Sequence, residues 1–260
     1  MGNLADAIQG GIRVYTGDNL PALAAATAQF SSSNTDPKAQ LIVNLDAGPL
    51  PGIPGTATAI LVFFYDGPNK PTAFSMFDSI TAISDQTASQ SFAAFISSNP
   101  SKSSPIVQGR FSTLSVTKFT PGLMKLIVQE VALAGNASLL HGGGPLPQSY
   151  EIDPFLNYGK YATDSPYPHA DSPKPIALWF SWLSPTDDAY WINYMAQSIG
   201  RLRDYASKNG ILSPLQYPNY AIAGTPAVSL YGPVNAVRLG ALRRIYDPKN
   251  VMKLAGGFDF

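Results

Sequence analysis

The sequence predicts an α+β fold, an antiparallel sheet of about six strands with helices packed on one face. Three observations predict it. Short segments alternate with period two and are joined by hairpin-like or long connections. Other segments repeat their apolar residues at helical spacing. The 260 residues include 23 prolines and 22 glycines without any internal repeat, which suits one loop-rich enzyme domain spanning 1–260.

In chain order, Gly11 to Thr16 alternates as a strand, with Ile12 and Val14 on one face and Arg13 and Tyr15 on the other. Asn19-Leu20-Pro21 opens a helix to about Phe30, asparagine as cap and proline in the first turn. Asp36-Pro37 breaks the chain. Gln40 to Leu45 and Thr58 to Tyr65 are two further strands, and the connection 48–55 is too long and proline-rich for a tight turn. Ala73 to Ile80 alternates through Phe74, Met76 and Asp78. Ser89 to Ser97 reads as a short helix and Ile106 to Lys118 as a strand. Thr120-Pro121 opens a helix over Gly122 to Ala134, with Leu123, Leu126, Ile127 and Val131 on one face and Gly135-Asn136 as its stop. Ala137 to His141 is expected to be a strand running into Gly142-Gly143-Gly144. Leu146 to Lys174 is expected to be irregular and rich in aromatic residues. Ile176 to Leu183 is a strand, and Ser184 to Asp188 starts a long helix that Gly210 ends. A last helix runs from Asn235 to Tyr246, where Asp247-Pro248 stops it.

Composition removes several functions. The formal charge is zero and 13% of residues are charged, so a nucleic-acid partner is not expected. The longest apolar run, about Ala59 to Tyr65, is too short to cross a membrane, and no basic cluster reads as a membrane patch. Cysteine is absent, and His141 and His169 lie far apart, so neither disulfide nor metal is expected. The start lacks the basic and apolar regions of a signal peptide and the pattern for myristoylation, so the chain is expected to be cytoplasmic, leaving the sequon Asn136-Ala137-Ser138 unused.

The C-terminal end carries an ordered set of motifs: Asn219-Tyr220, then Tyr231-Gly232-Pro233-Val234-Asn235-Ala236-Val237-Arg238-Leu239, then Tyr246-Asp247-Pro248-Lys249-Asn250-Val251-Met252. This set resembles the C-terminal signature of the berberine-bridge-enzyme-like flavoprotein oxidases of the vanillyl-alcohol oxidase family. Met252 stands where the family has phenylalanine, and Ala221-Ile222 follow Tyr220 where it often has an acidic residue. The resemblance implies the substrate-binding half of such an enzyme, strongly at the C-terminus and loosely elsewhere. It also implies that Tyr217, Asn219 and Tyr220 approach a flavin or substrate. The family's FAD-cradling half has no counterpart here: Gly142-Gly143-Gly144 precedes Pro-Leu-Pro rather than a helix, and reads as a turn or hinge rather than a phosphate cradle. Two explanations follow, a stand-alone protein that kept only the substrate half, which the position of Met1 favours, or a fragment.

Without a flavin no side chain accepts a hydride, so cofactor-free, redox-neutral chemistry is expected: acid/base catalysis or a pericyclic cyclisation of Diels–Alder or hetero-Diels–Alder type in secondary metabolism. The candidate catalytic residues are His141 by type, Arg13 as a donor to a carbonyl, and Asn44 between Val43 and Leu45. The bland alternatives are a surface arginine, a loop-bonded asparagine and a strand-end histidine bonded to a carbonyl. The candidate substrate wall is Tyr15, Phe63, Tyr65, Trp179, Ser181, Tyr217, Asn219 and Tyr220, with one of Trp179 and Trp182 in the core and the other in the wall. The expected partner is an apolar small molecule, with a homodimer as another use of the uncovered sheet face. Two other functions stay open: one half of an FAD-dependent oxidoreductase, or a non-catalytic carrier of apolar metabolites.

Overall fold

The structure, a computed structural model, describes residues 7–48, 57–98, 108–141, 147–156, 158–161 and 164–255. Eight strands form one sheet: β1 (Ile8–Thr16), β2 (Ala39–Ala47), β3 (Ala57–Tyr65), β4 (Ser84–Asp85), β5 (Ala88–Gln90), β6 (Gln108–Val116), β7 (Gln148–Ile152) and β8 (Lys174–Trp182). Their order is β4-β1-β3-β2-β7-β8-β6, with β5 beside β1, and the pairings are antiparallel. The helices are α1 (Leu20–Ser33), α2 (Phe92–Ser97), α3 (Pro121–Leu140), α4 (Asp188–Lys208) and α5 (Ala227–Tyr246).

Strand register divides the sheet into two faces. Leu41, Val43 and Leu45 of β2 lie beside Phe63, Leu61 and Ala59 of β3. Tyr150 and Ile152 of β7 and Ile176, Leu178, Phe180 and Trp182 of β8 continue the same face, and all of these are buried. Helices α1, α3 and α4 pack with this face around one core. Each large apolar side chain buried there contributes roughly 1.5–3 kcal/mol. Buried Glu130 of α3 ties the helix layer to the sheet. It accepts hydrogen bonds from Nε and Nη2 of Arg201 at 2.6 and 2.7 Å and from Ser198 Oγ at 2.7 Å, and Ser198 meets the Tyr150 hydroxyl at 3.0 Å.

Three elements differ from expectation. First, α3 does not stop at Gly135-Asn136. It runs to Leu140, because Ala134, Gly135 and Ala137 are buried in the core and packing outweighs the weak helix propensity of glycine, about 1 kcal/mol. The expected strand over Ala137 to His141 is therefore the end of this helix. By length and composition α3 would cross a membrane, yet it contacts α1, β2, β7 and α4. Second, the stretch expected to be irregular contains β7, whose alternating Gln148, Tyr150 and Ile152 face the core. Third, the alternating Phe74, Met76, Asp78 pattern falls largely in a 3-10 turn, Thr72–Phe77, which places Phe74 and Phe77 against Phe63. The connection 48–55, the triple glycine and the Gly256-Gly257-Phe258 ending fall at least partly outside the described residues.

The last helix is broken at Gly232, whose φ of +74° is left-handed, and it restarts at Pro233 rather than Asn235. Glycine takes that conformation without steric cost, and proline suits a first helical turn. Only Leu230 and Gly240 are buried in α5; Val234, Val237, Leu242 and Ile245 are exposed. Asp247 then caps the final turn, accepting from the N–H groups of Val251 and Met252 at 2.7 and 2.9 Å.

Candidate functional site

The second face of the sheet is where polar and aromatic residues converge. Register places Phe111 of β6 opposite Trp179 of β8, Trp179 opposite Ser149 of β7, and Ser149 opposite Asp46 of β2. The neighbouring row runs Thr113, Ala177, Glu151 and Asn44 across the same strands. Asp153, two residues beyond Glu151, continues the line of carboxyl groups. Adjacent strands lie about 4.8 Å apart, so each row sets neighbouring side chains side by side.

The chain after α4 folds back along β6. The Thr117 N–H donates to Ile211 O at 2.8 Å and the Ser213 N–H to Ser115 O at 3.0 Å. A 3-10 turn, Pro218–Tyr220, then brings Tyr220 onto the Phe111 ring, with centroids 6.2 Å apart and planes 15° apart. Phe111 in turn stacks on Trp179 at 6.1 Å and 12°. Tyr217 meets Tyr220 edge-on at 5.2 Å, and Asn219 Nδ2 donates to the Tyr217 hydroxyl at 2.9 Å. The result is a row of three near-parallel rings ending at a phenol.

That phenol lies near the carboxyl groups of both Glu151 and Asp153. Oδ1 of Asp153 is buried without a partner, and the residue is 2% exposed. Burial, together with the neighbouring Glu151 charge, raises the Asp153 carboxyl to about 8 against the pull of the Tyr220 hydroxyl. Burial likewise raises Asp46 to about 7, against the hydrogen bond from Ser149 Oγ and with the help of the Glu151 charge. Burial pushes Glu151 up as well, and holds the Tyr220 phenol well above its ordinary value. At neutral pH the Asp153 carboxyl on this side therefore largely keeps its proton and can donate, and a row of stacked aromatic rings lies on the same side. None of the strand residues turned to this side is lysine or arginine.

Of the candidate residues, Asn44, Trp179, Ser181, Tyr217 and Tyr220 are gathered on this side. Ser181 is buried, its N–H donating to Gln148 Oε1 at 3.0 Å, and Asn219 is exposed beside Tyr217. The other candidates lie elsewhere. Arg13, Tyr15, Phe63 and Tyr65 are on the helix-packed face, because register pairs Arg13 with Leu61 and Tyr15 with Ala59. The Arg13 guanidinium lies 4.9 Å over the Phe63 ring, with Nε 2.9 Å from Asp85 and Nη1 3.7 Å from Asp78, so two carboxylates and a ring already occupy it. Tyr15 and Phe63 are core residues, and Tyr65 packs against that core partly buried. His141 ends α3 and stacks on Tyr190 at 3.9 Å in the helix layer. Phe111, Asp46, Ser149, Glu151 and Asp153 were not among the candidates. The signal for them was present: Asp46 follows Asn44 at strand spacing, and Ser149, Glu151 and Asp153 alternate with Tyr150 and Ile152. Among the described residues no group of three or more metal-ligating side chains is close enough to hold an ion.

No protein-family model matches the chain. It is 25% identical over 272 residues to the bifunctional solanapyrone synthase of Alternaria solani, an alignment that spans 96% of this chain and 48% of that protein. Its fold matches BBE-like 1 of Physcomitrella patens with a TM-score of 0.69 at 13% identity, covering 100% of this chain and 54% of that one. It matches 6-hydroxy-D-nicotine oxidase of Arthrobacter nicotinovorans with a TM-score of 0.67 at 14% identity, covering 95% and 54%. The chain thus spans about half the length of the relatives it matches. FAD is the cofactor implied by such oxidases. The second face offers rings and carboxyl groups where a planar heterocycle could lie, but no cationic side chain from its strands for a pyrophosphate, so these residues do not fit FAD by themselves. In fold this chain is similar to about half of a berberine-bridge-enzyme-like, FAD-linked oxidase of the vanillyl-alcohol oxidase family.

Proposed function

We propose that the chain is a flavin-independent, redox-neutral cyclase of secondary metabolism, with the second face of the sheet as its substrate wall. One observation carries this reading: buried carboxyl groups whose burial raises them to about 7 (Asp46) and about 8 (Asp153) share one side of the sheet with a row of stacked rings. Phe111, Trp179 and Tyr220 hold a flat, conjugated, apolar substrate in a reactive conformer, and the acids donate to an oxygen that gains charge as the ring closes. In a Diels–Alder or hetero-Diels–Alder closure no atom or electron is gained or lost, so no oxidant is needed. The sequence similarity to solanapyrone synthase supports a place among enzymes of that kind.

The chain's coverage of about half of its relatives, together with the exposed apolar side of α5, favours a second reading. In it the chain is one half of an FAD-linked oxidoreductase and works with a flavin-binding half. The visible spectrum of the purified chain, before and after incubation with FAD and desalting, tests both, alongside the rate at which it cyclises a triene that carries a conjugated carbonyl. The cyclase reading expects a colourless protein and accelerated loss of diene absorbance. A flavin band retained through desalting, or a colourless protein with no acceleration, overturns it.

A further inference from the structure

Rings and carboxyl groups mark the second face on β6, β8 and β7, and the rest of that face has a different character. Strand register carries its rows on across β2, β3 and β1. The row through Thr113, Ala177, Glu151 and Asn44 continues to Ile60 and Val14. The next row is Ile42, Val62 and Ile12. None of these five aliphatic residues is fully buried, Ile42 is 36% exposed, and no charged residue stands among them. Alongside, Phe64 opposes Gly10, and helix α2 lies over that pair. Phe92 and Phe95 meet the Phe64 ring at centroid distances of 6.0 and 5.6 Å, and a Cβ on Gly10 would stand 3.3 Å from the Phe95 ring. Ser91 fixes the start of α2, its hydroxyl accepting from the Ala94 N–H at 3.1 Å. Phe92 stays 39% exposed. The result is an apolar strip with an aliphatic floor and an aromatic side, and it begins where the carboxyl groups end.

Resting on the cyclase reading, we propose that the substrate is an uncharged amphiphile, with a flat carbonyl head on the Trp179 side and a linear apolar chain laid across β2, β3 and β1 beside α2. A contiguous apolar surface of this kind marks a binding site. The strip is continuous with the ring and carboxyl rows, so one molecule covers both. From Glu151 on β7 to Val14 on β1 is three strand spacings, about 14 Å, the reach of an extended chain of about ten carbons. The head is uncharged because Asp46 and Glu151 turn to this side and no lysine or arginine of the strands does. A carboxylate head would meet carboxyl groups with no cation to offset them. Burying the chain fixes the head against the rings, and binding energy gained away from the reacting atoms goes into their orientation.

The probes are alkyl phenyl ketones, from acetophenone to tetradecanophenone, with binding read as quenching of tryptophan fluorescence. Affinity is expected to rise about fourfold per added CH2, up to a chain of about ten carbons, and to level off beyond it. 4-Decylbenzoate is expected to bind on the order of tenfold more weakly than the ketone of equal chain length. Ile42→Asp, at an exposed position, is expected to remove the gain with chain length while acetophenone still quenches. Val62→Asp repeats the test one strand further on. Acetophenone quenching with no dependence on chain length, or a gain retained in Ile42→Asp, overturns the chain placement and leaves the substrate wall standing. Equal binding of 4-decylbenzoate overturns the uncharged head. A larger species in sedimentation that Ile42→Asp converts to monomer shows that the strip joins copies of this chain, and also overturns the proposal. Absence of quenching by every ketone overturns the wall, and with it both proposals.

Discussion

Asp153 keeps its proton where an exposed aspartate would have lost it, and this has a sign for stability. Its folded value, about 8, lies above the ordinary 3.8, so between those limits the folded chain binds more protons than the unfolded one. Stability is full below the ordinary value and falls as pH rises through the folded one. Asp46, raised to about 7, acts in the same direction. The melting temperature is therefore expected to drop between about pH 4 and pH 8. Asp153→Asn is expected to flatten that drop, gaining about 1 kcal/mol at the alkaline end; a variant whose melting curve tracks wild type at every pH would refute the burial argument. These carboxylates were hard to read from the sequence because burial, not residue type, makes them unusual. Tyr217 and Tyr220 were legible because a motif carried them. Arg13 looked like a catalytic donor because the sequence does not show that Asp78 and Asp85 come to meet it.

The elements most legible were those with a clean period. β1, β2, β3 and β8 lie within a few residues of their expected positions, and α4 ends before Gly210 as expected. α3 was read too short because local propensity at Gly135-Asn136 was outweighed by packing, and β7 was missed because its alternation lasts only five residues inside a long proline- and tyrosine-rich stretch. The layers are joined by Glu130, which is 1% exposed. Arg201→Met leaves that carboxylate buried with only Ser198 to bond it. The expected cost is on the order of 3 kcal/mol, read as a shift in the urea midpoint. A shift within about 0.5 kcal/mol of zero would show that α3 and α4 are held by apolar packing alone.

Across the whole molecule, the described residues divide into a packed core and a C-terminal arm that touches it lightly. Nine of the exposed large apolar residues, among them Val234, Val237, Ile245 and Leu254, lie from Val228 onward. If the arm is free in solution, Val237→Glu and Ile245→Glu together are expected to move the melting temperature little, within about 0.5 kcal/mol each. A large loss of stability, or loss of a larger species in sedimentation, would show that this side is covered by another chain in the working protein. The division of the sheet has a consequence for how such a protein changes over time. Along each strand, alternate residues serve different purposes: Leu41, Val43, Leu45 and Ala47 hold the fold, while Asn44 and Asp46 between them face the site. Substitutions at the second set can remodel recognition while the first set keeps the chain foldable. Heredity can therefore explore new chemistries on this scaffold by neutral drift, one strand position at a time, without passing through unfolded intermediates in the lineage.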